Sequence, residues 1–121
     1  MDELITRLVD HTGVTRAVAE KAVGIIFNFL LKEGPTETVQ GLIDQLPGAA
    51  ALAQSSAASG GGLFAGMGGV MGAANQLMAA GLSMDQVQSV TREVVAFARE
   101  KAGEDTVGEI VGAIPGLAQF V

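Results

Sequence analysis

His11 is the only histidine in the chain, and it stands beside Asp10. An imidazole next to a carboxylate can begin a general base or a metal site, because it exchanges a proton near neutral pH. Neither arrangement completes itself here. Cysteine is absent, and no second ligand recurs four residues from His11, so the spacing of a zinc site is not met. Ser55, Ser56, Ser59, Ser83 and Ser89 could supply a hydroxyl nucleophile by composition, yet none sits in a GxSxG elbow. The carboxylate pairs Asp2/Glu3 and Glu104/Asp105 fall where helices should begin, where negative charge favours the helix dipole. By the same rule His11 reads as a cation at the end of the first helix. No catalytic residue, metal or cofactor is assigned, and the chain is expected not to be an enzyme.

The second chemical candidate is GGGLFAGMGGVMGA, Gly60 to Ala73. Glycine runs cradle phosphates, but Gly66-Met67-Gly68-Gly69-Val70-Met71 has methionine where GxGxxG needs its last glycine, and no GK[ST] follows. From Gln45 to Met84 there is no charged side chain, so a membrane span is the next reading. Leu63–Leu82 is diluted by glycine, broken by Asn75-Gln76, and lacks Lys/Arg or Trp/Tyr flanks, so membrane spanning is not expected. Drawn as a helix, Phe64, Met67, Met71 and Met78 make one stripe, and Gly61, Ala65, Gly69 and Ala73 make a column of small residues. Gly108, Gly112 and Gly116 repeat the four-residue spacing. Each interior glycine costs about 1 kcal/mol of helix propensity against alanine, which close helix contact could offset. A Gly-rich loop over 60–69 is the alternative reading for that part.

These elements must be placed by a chain of 121 residues carrying 13 acids, seven bases and a net charge of −6. That length can bury roughly two thirds of its unfolded surface. Nucleic-acid binders neutralise phosphates with Lys and Arg, so this acidic chain excludes that class and is repelled by anionic membranes. The opening MDELITRLVD has no apolar leader core, which assigns the chain to the cytoplasm; a mature exported chain stripped of its leader reads the same.

A shift of 68 residues lays the second half over the first without gaps. Gly13-Val14-Thr15 falls on Gly81-Leu82-Ser83, and Ala19, Ala22, Ile26 and Phe29 fall on Val87, Val90, Val94 and Phe97. Leu42, Ile43, Leu46, Pro47 and Gly48 meet Ile110, Val111, Ile114, Pro115 and Gly116. Steps of three and four put each set on one helix face. Thr15 and Ser83 are the expected N-caps, and Ser83-Met84-Asp85-Gln86 has capping-box spacing. Gly34-Pro35 and Gly103 should end the long helices, the glycine by a left-handed exit; Pro47 and Pro115 should each break one helix and open another. The expected helices span about 2–11, 15–33, 36–46, 48–54, 63–80, 83–102 and 104–113, with a short tail at 115–120. Arg92 and Arg99, opposite Gly24 and Leu31 in the overlay, distinguish the halves; Glu20/Lys21, Arg92/Glu93 and Arg99/Glu100/Lys101 read as solvated faces.

VTRAVAEKAVGIIFNFL, LIDQLPGAAAL, SGGGLFAGMGGVMGA and GLSMDQVQSVTREVVAFAREKAGEDTVGEIVGAIPGL together resemble the bacterial family of unknown function named after VcgC and VcgE, over residues 13–120. The resemblance implies an all-helical domain and supplies no activity; members of that family are expected to be exported. MDELITRLVDHTGVTRAVAEKAV is similar to the opening helices of HU histone-like proteins, in its ELI, TG and AEKAV. The β-arms, basic surface and minor-groove wedge of that group have no counterpart here, so the likeness implies a shared helix hairpin.

The expected fold is therefore all-α, a helical bundle of two similar multi-helix halves related by an approximate two-fold. It is a single domain, 1–121, with a first repeat at 1–54, a Ser/Gly-rich linker at 55–62 and a second repeat at 63–121. The expected function is a protein-interaction or self-association module with a protein partner or a homo-oligomer; the alternative is a carrier of a small apolar ligand between the halves. Phe64, Met67, Met71, Met78, Gly108 and Gly112 are the expected surface for either.

Overall fold

A computed structural model describes residues 2–46, 48–51, 69–114 and 118. Among these, helix is the regular structure and no strand occurs. The helices are α1 (Asp2–Thr12), α2 (Arg16–Glu33), α3 (Thr36–Asp44), α4 (Gly69–Ala79), α5 (Met84–Ala102) and α6 (Glu104–Ala113), with residues 49–51 also helical.

Local chemistry accounts for the boundaries. Asp2 and Glu3 lie in the first turn of α1 and His11 in its last, each matching the nearby end of the helix dipole. Gly13, at φ +76°, closes α1 by donating its N–H to the Val9 carbonyl. Thr15 caps α2, its hydroxyl accepting from the Val18 N–H at 3.3 Å. At the corresponding place α4 ends in a Schellman motif: Leu82 N–H reaches Leu77 O, Gly81 N–H reaches Met78 O, and Gly81 takes φ +116°. The Ser83–Gln86 capping box forms with both of its hydrogen bonds, at 3.0 and 3.3 Å.

Gly34 differs from expectation. Its φ of −92° and ψ of −179° are extended, not left-handed. Space explains the residue instead: a Cβ there would lie 2.8 Å from the Leu30 carbonyl oxygen and 3.4 Å from Ile114 Cδ1. Gly34 is where the end of α2 meets the residue that follows α6.

Helix starts keep the 68-residue offset, Arg16 matching Met84 and Thr36 matching Glu104. Burial keeps it at most positions, though half-buried Phe29 falls on buried Phe97 and buried Ile43 on half-buried Val111. Val14, Ala19, Ala22, Ile26, Val39, Leu42 and Leu46 are buried, and so are Leu82, Val87, Val90, Val94, Val107, Ile110 and Ile114. The packing crosses over: α1 lies against α2 and α5, and α4 against α5 and α2. The long helices α2 and α5 also meet each other, and α3 packs on α6. One continuous apolar core results, with Phe27 the largest of its fully buried side chains. Pro47 and Pro115 lie outside the described residues.

Glycine substitutions should move stability in opposite directions at two positions. Gly34→Ala forces a Cβ against backbone and is expected to cost about 1–3 kcal/mol. Gly108→Ala, in the exposed interior of α6 with nothing within 4 Å of its Cβ position, is expected to gain about 0.5–1 kcal/mol. Chemical denaturation of both variants checks the signs; the same sign at both positions would contradict the packing described.

Candidate functional site

The chain's ionisable chemistry gathers where α1 crosses α5. Glu3, Arg7 and His11 are spaced by four along α1 and so share a face. On α5 the facing residues are Glu93, Phe97, Glu100 and Lys101. Arg7 donates to Glu100 from Nη1 at 2.5 Å and to Glu93 from Nη2 at 3.5 Å. His11 Nδ1 lies 2.9 Å from the other oxygen of Glu93, and Lys101 Nζ lies 3.5 Å from Glu3. Both cations also sit over the buried Phe97 ring, at 5.7 Å for Arg7 and 5.4 Å for Lys101. The hydrogen bond to Glu100 raises the Arg7 pKa above its ordinary value; burial opposes this, and the charges of Glu100, Glu93 and Glu3 reinforce it. Arg7 therefore stays a cation throughout.

Three residues expected on solvated faces, Glu93, Glu100 and Lys101, are thus tied to a helix far away in sequence. Arg92 and Arg99 are exposed, as the helical pattern implied. His11 has both an end-of-helix position and a tertiary partner in Glu93. A base held by a carboxylate is part of a hydrolytic triad, but among the described residues His11 makes no hydrogen bond to a hydroxyl. Among the described residues no group of three or more His, Asp or Glu side chains could hold a metal ion.

The residues expected from the sequence are scattered. Phe64 and Met67 lie outside the described residues, as does the side chain of Met71. Met78 is exposed at 39% on the last turn of α4. Gly108 and Gly112 are exposed on α6, with open space where a Cβ would stand. The expected helix crossing at this column is not seen among the described residues, where nothing lies within 4 Å of a Cβ at Gly108 or Gly112. Met84, which the sequence pattern assigned only to a helix start, is exposed at 45%. Only the short α4–α5 connection separates it from Met78 in sequence, in an uncharged run that includes exposed Ala79 and Gly81.

Inside, α2, α3, α5 and α6 enclose an apolar cavity of about 10 Å³, lined by Phe27, Leu42, Val94, Val107 and Ile110 among others. That is about the volume one water centre needs, and with no polar lining it stays dry. Among the described residues no methionine borders it. Among the described residues no helix is long and apolar enough to cross a membrane. No protein-family model, curated protein or solved structure matches the chain.

Proposed function

We propose that this chain is a non-enzymatic protein-interaction or self-association module, built as two similar helical halves about an approximate two-fold. The repeated burial pattern and the crossed packing of α1 on α5 and α4 on α2 support the two halves. The observation that carries the interaction reading is the methionine corner. Met78 and Met84 are large apolar side chains held in water at one connection, and unbranched thioethers adapt to varied partner surfaces. Kinship with the family named after VcgC and VcgE belongs to the same proposal and adds no activity to it.

Native mass spectrometry of the full chain, purified without denaturation, tests the reading. The expected result is a multiple of the chain mass that reverts to the single chain in Met78→Glu/Met84→Glu. An adduct with the mass of a small ligand on a single chain would instead favour a carrier, and a bare single chain in all preparations would remove self-association.

A further inference from the structure

The crossed packing has a property that uncrossed halves would lack. The first helix of each half lies against the long helix of the other as well as its own. On the two-half reading proposed above, on which this rests, a half from a second copy presents the same surfaces. We propose that a second copy of this chain is a partner by exchange of halves: the segment bearing α1–α3 of one chain seats on the segment bearing α4–α6 of the other. The charged rim of Arg7 and His11 against Glu93 and Glu100 selects the unlike half.

Selection follows from the 68-residue offset. It sets Glu93, Phe97 and Glu100 over Ile25, Phe29 and Lys32, and sets Arg7 and His11 over Asn75 and Ala79. Two like first halves would bring Arg7 to the positions of Ile25 and Lys32, exchanging one carboxylate for an alkyl group and the other for a like charge. Two like second halves would bring the Glu93 and Glu100 carboxylates to Asn75 and Ala79, where no cation stands. The aromatic floor survives in each pairing, Phe29 or Phe97, so apolar packing alone does not discriminate. Only the unlike pairing gives each carboxylate its cation, and discrimination rests on these lost partners.

Exchange makes no contact that the single chain lacks. Intramolecular pairing therefore prevails until the chain concentration approaches the effective concentration of a linked half, on the order of 1 mM. Exchanged dimers are expected when concentrated unfolded chain is refolded.

The test uses two full-length variants, Arg7→Glu and Glu93→Lys/Glu100→Lys, unfolded, mixed and refolded at about 1 mM. Native mass spectrometry separates their homodimers from the heterodimer. In the heterodimer the reversed α1 meets the reversed α5, and the unreversed pair meets on the other side. Heterodimer is expected in about tenfold excess over either homodimer, as like charges are avoided on both rims. A random ratio, or single chains alone, overturns the proposal. The triple variant Arg7→Glu/Glu93→Lys/Glu100→Lys should refold as the parent does; its failure shows that the rim does not select the pairing and also overturns it. Repeating the mixture with Met78→Glu/Met84→Glu in both chains separates the two contacts. Exchange persists in that background, whereas loss of the heterodimer would overturn exchange and leave the methionine corner as the interface.

Discussion

Phe27→Ala is expected to lower the free energy of unfolding by about 3–5 kcal/mol, in the upper part of that range. The side chain is fully buried in α2 and borders the apolar cavity shared with α3, α5 and α6. Its removal joins a ring-sized void to a space that already exists. Collapse of the void is hindered because Val94, Val95 and Val107 around it are β-branched and stiff at their first torsion. Equilibrium urea unfolding should show a lower midpoint at unchanged slope. An enlarged dry cavity should also accept a benzene-sized guest, so that adding benzene raises the melting temperature of the variant and leaves the parent unmoved. A loss below about 1 kcal/mol would mean that Phe27 does not stand at the centre of the core.

Leu8→Ala should rank next, with a loss of about 2–5 kcal/mol. Leu8 is fully buried with Leu4 and Ile5 on the one face that α1 turns to α2 and α5. Arg7→Ala, one position earlier at the half-exposed rim, should cost under about 1 kcal/mol, since solvent screens ion pairs of this kind. Thermal melting of the two variants side by side checks the ordering. Equal losses would mean that charge, and not apolar burial, holds α1 in place. The contrast also gives the rim its proper weight: it contributes little to overall stability, and its effect falls on which surfaces pair.

The helical class was readable because apolar residues recur at three- and four-residue steps in phase across both halves, and their burial follows that phase. Capping was readable for the same local reason. Thr15 and Ser83 act within three residues of themselves, and both make the hydrogen bonds their spacing implied. What the sequence withheld depends on distant approach. Gly34 occupies its place because Leu30 O, Val39 and Ile114 crowd it, and the nearness of Ile114 follows from tertiary packing. Gly108 and Gly112 show the reverse case: four-residue spacing of small residues does not say which side of a helix faces a neighbour, and these two are exposed. Glu93 reads locally as part of a solvated stripe, yet its partners Arg7 and His11 are more than 80 residues away. The spacing of Glu3, Arg7 and His11 along one face of α1 was the available signal for that rim.

One side chain joins two helix ends. The Gln86 amide oxygen accepts from the Ser83 N–H at the start of α5, while its nitrogen donates to the Thr12 carbonyl at the end of α1, at 3.2 Å. The last turn of α1 and the first turn of α5 are thus tied by one hydrogen bond, whose net worth is about 1 kcal/mol. The amide therefore adds a polar tie, at the N-terminal end of α5, to a helix pair that is otherwise joined by apolar packing and the charged rim.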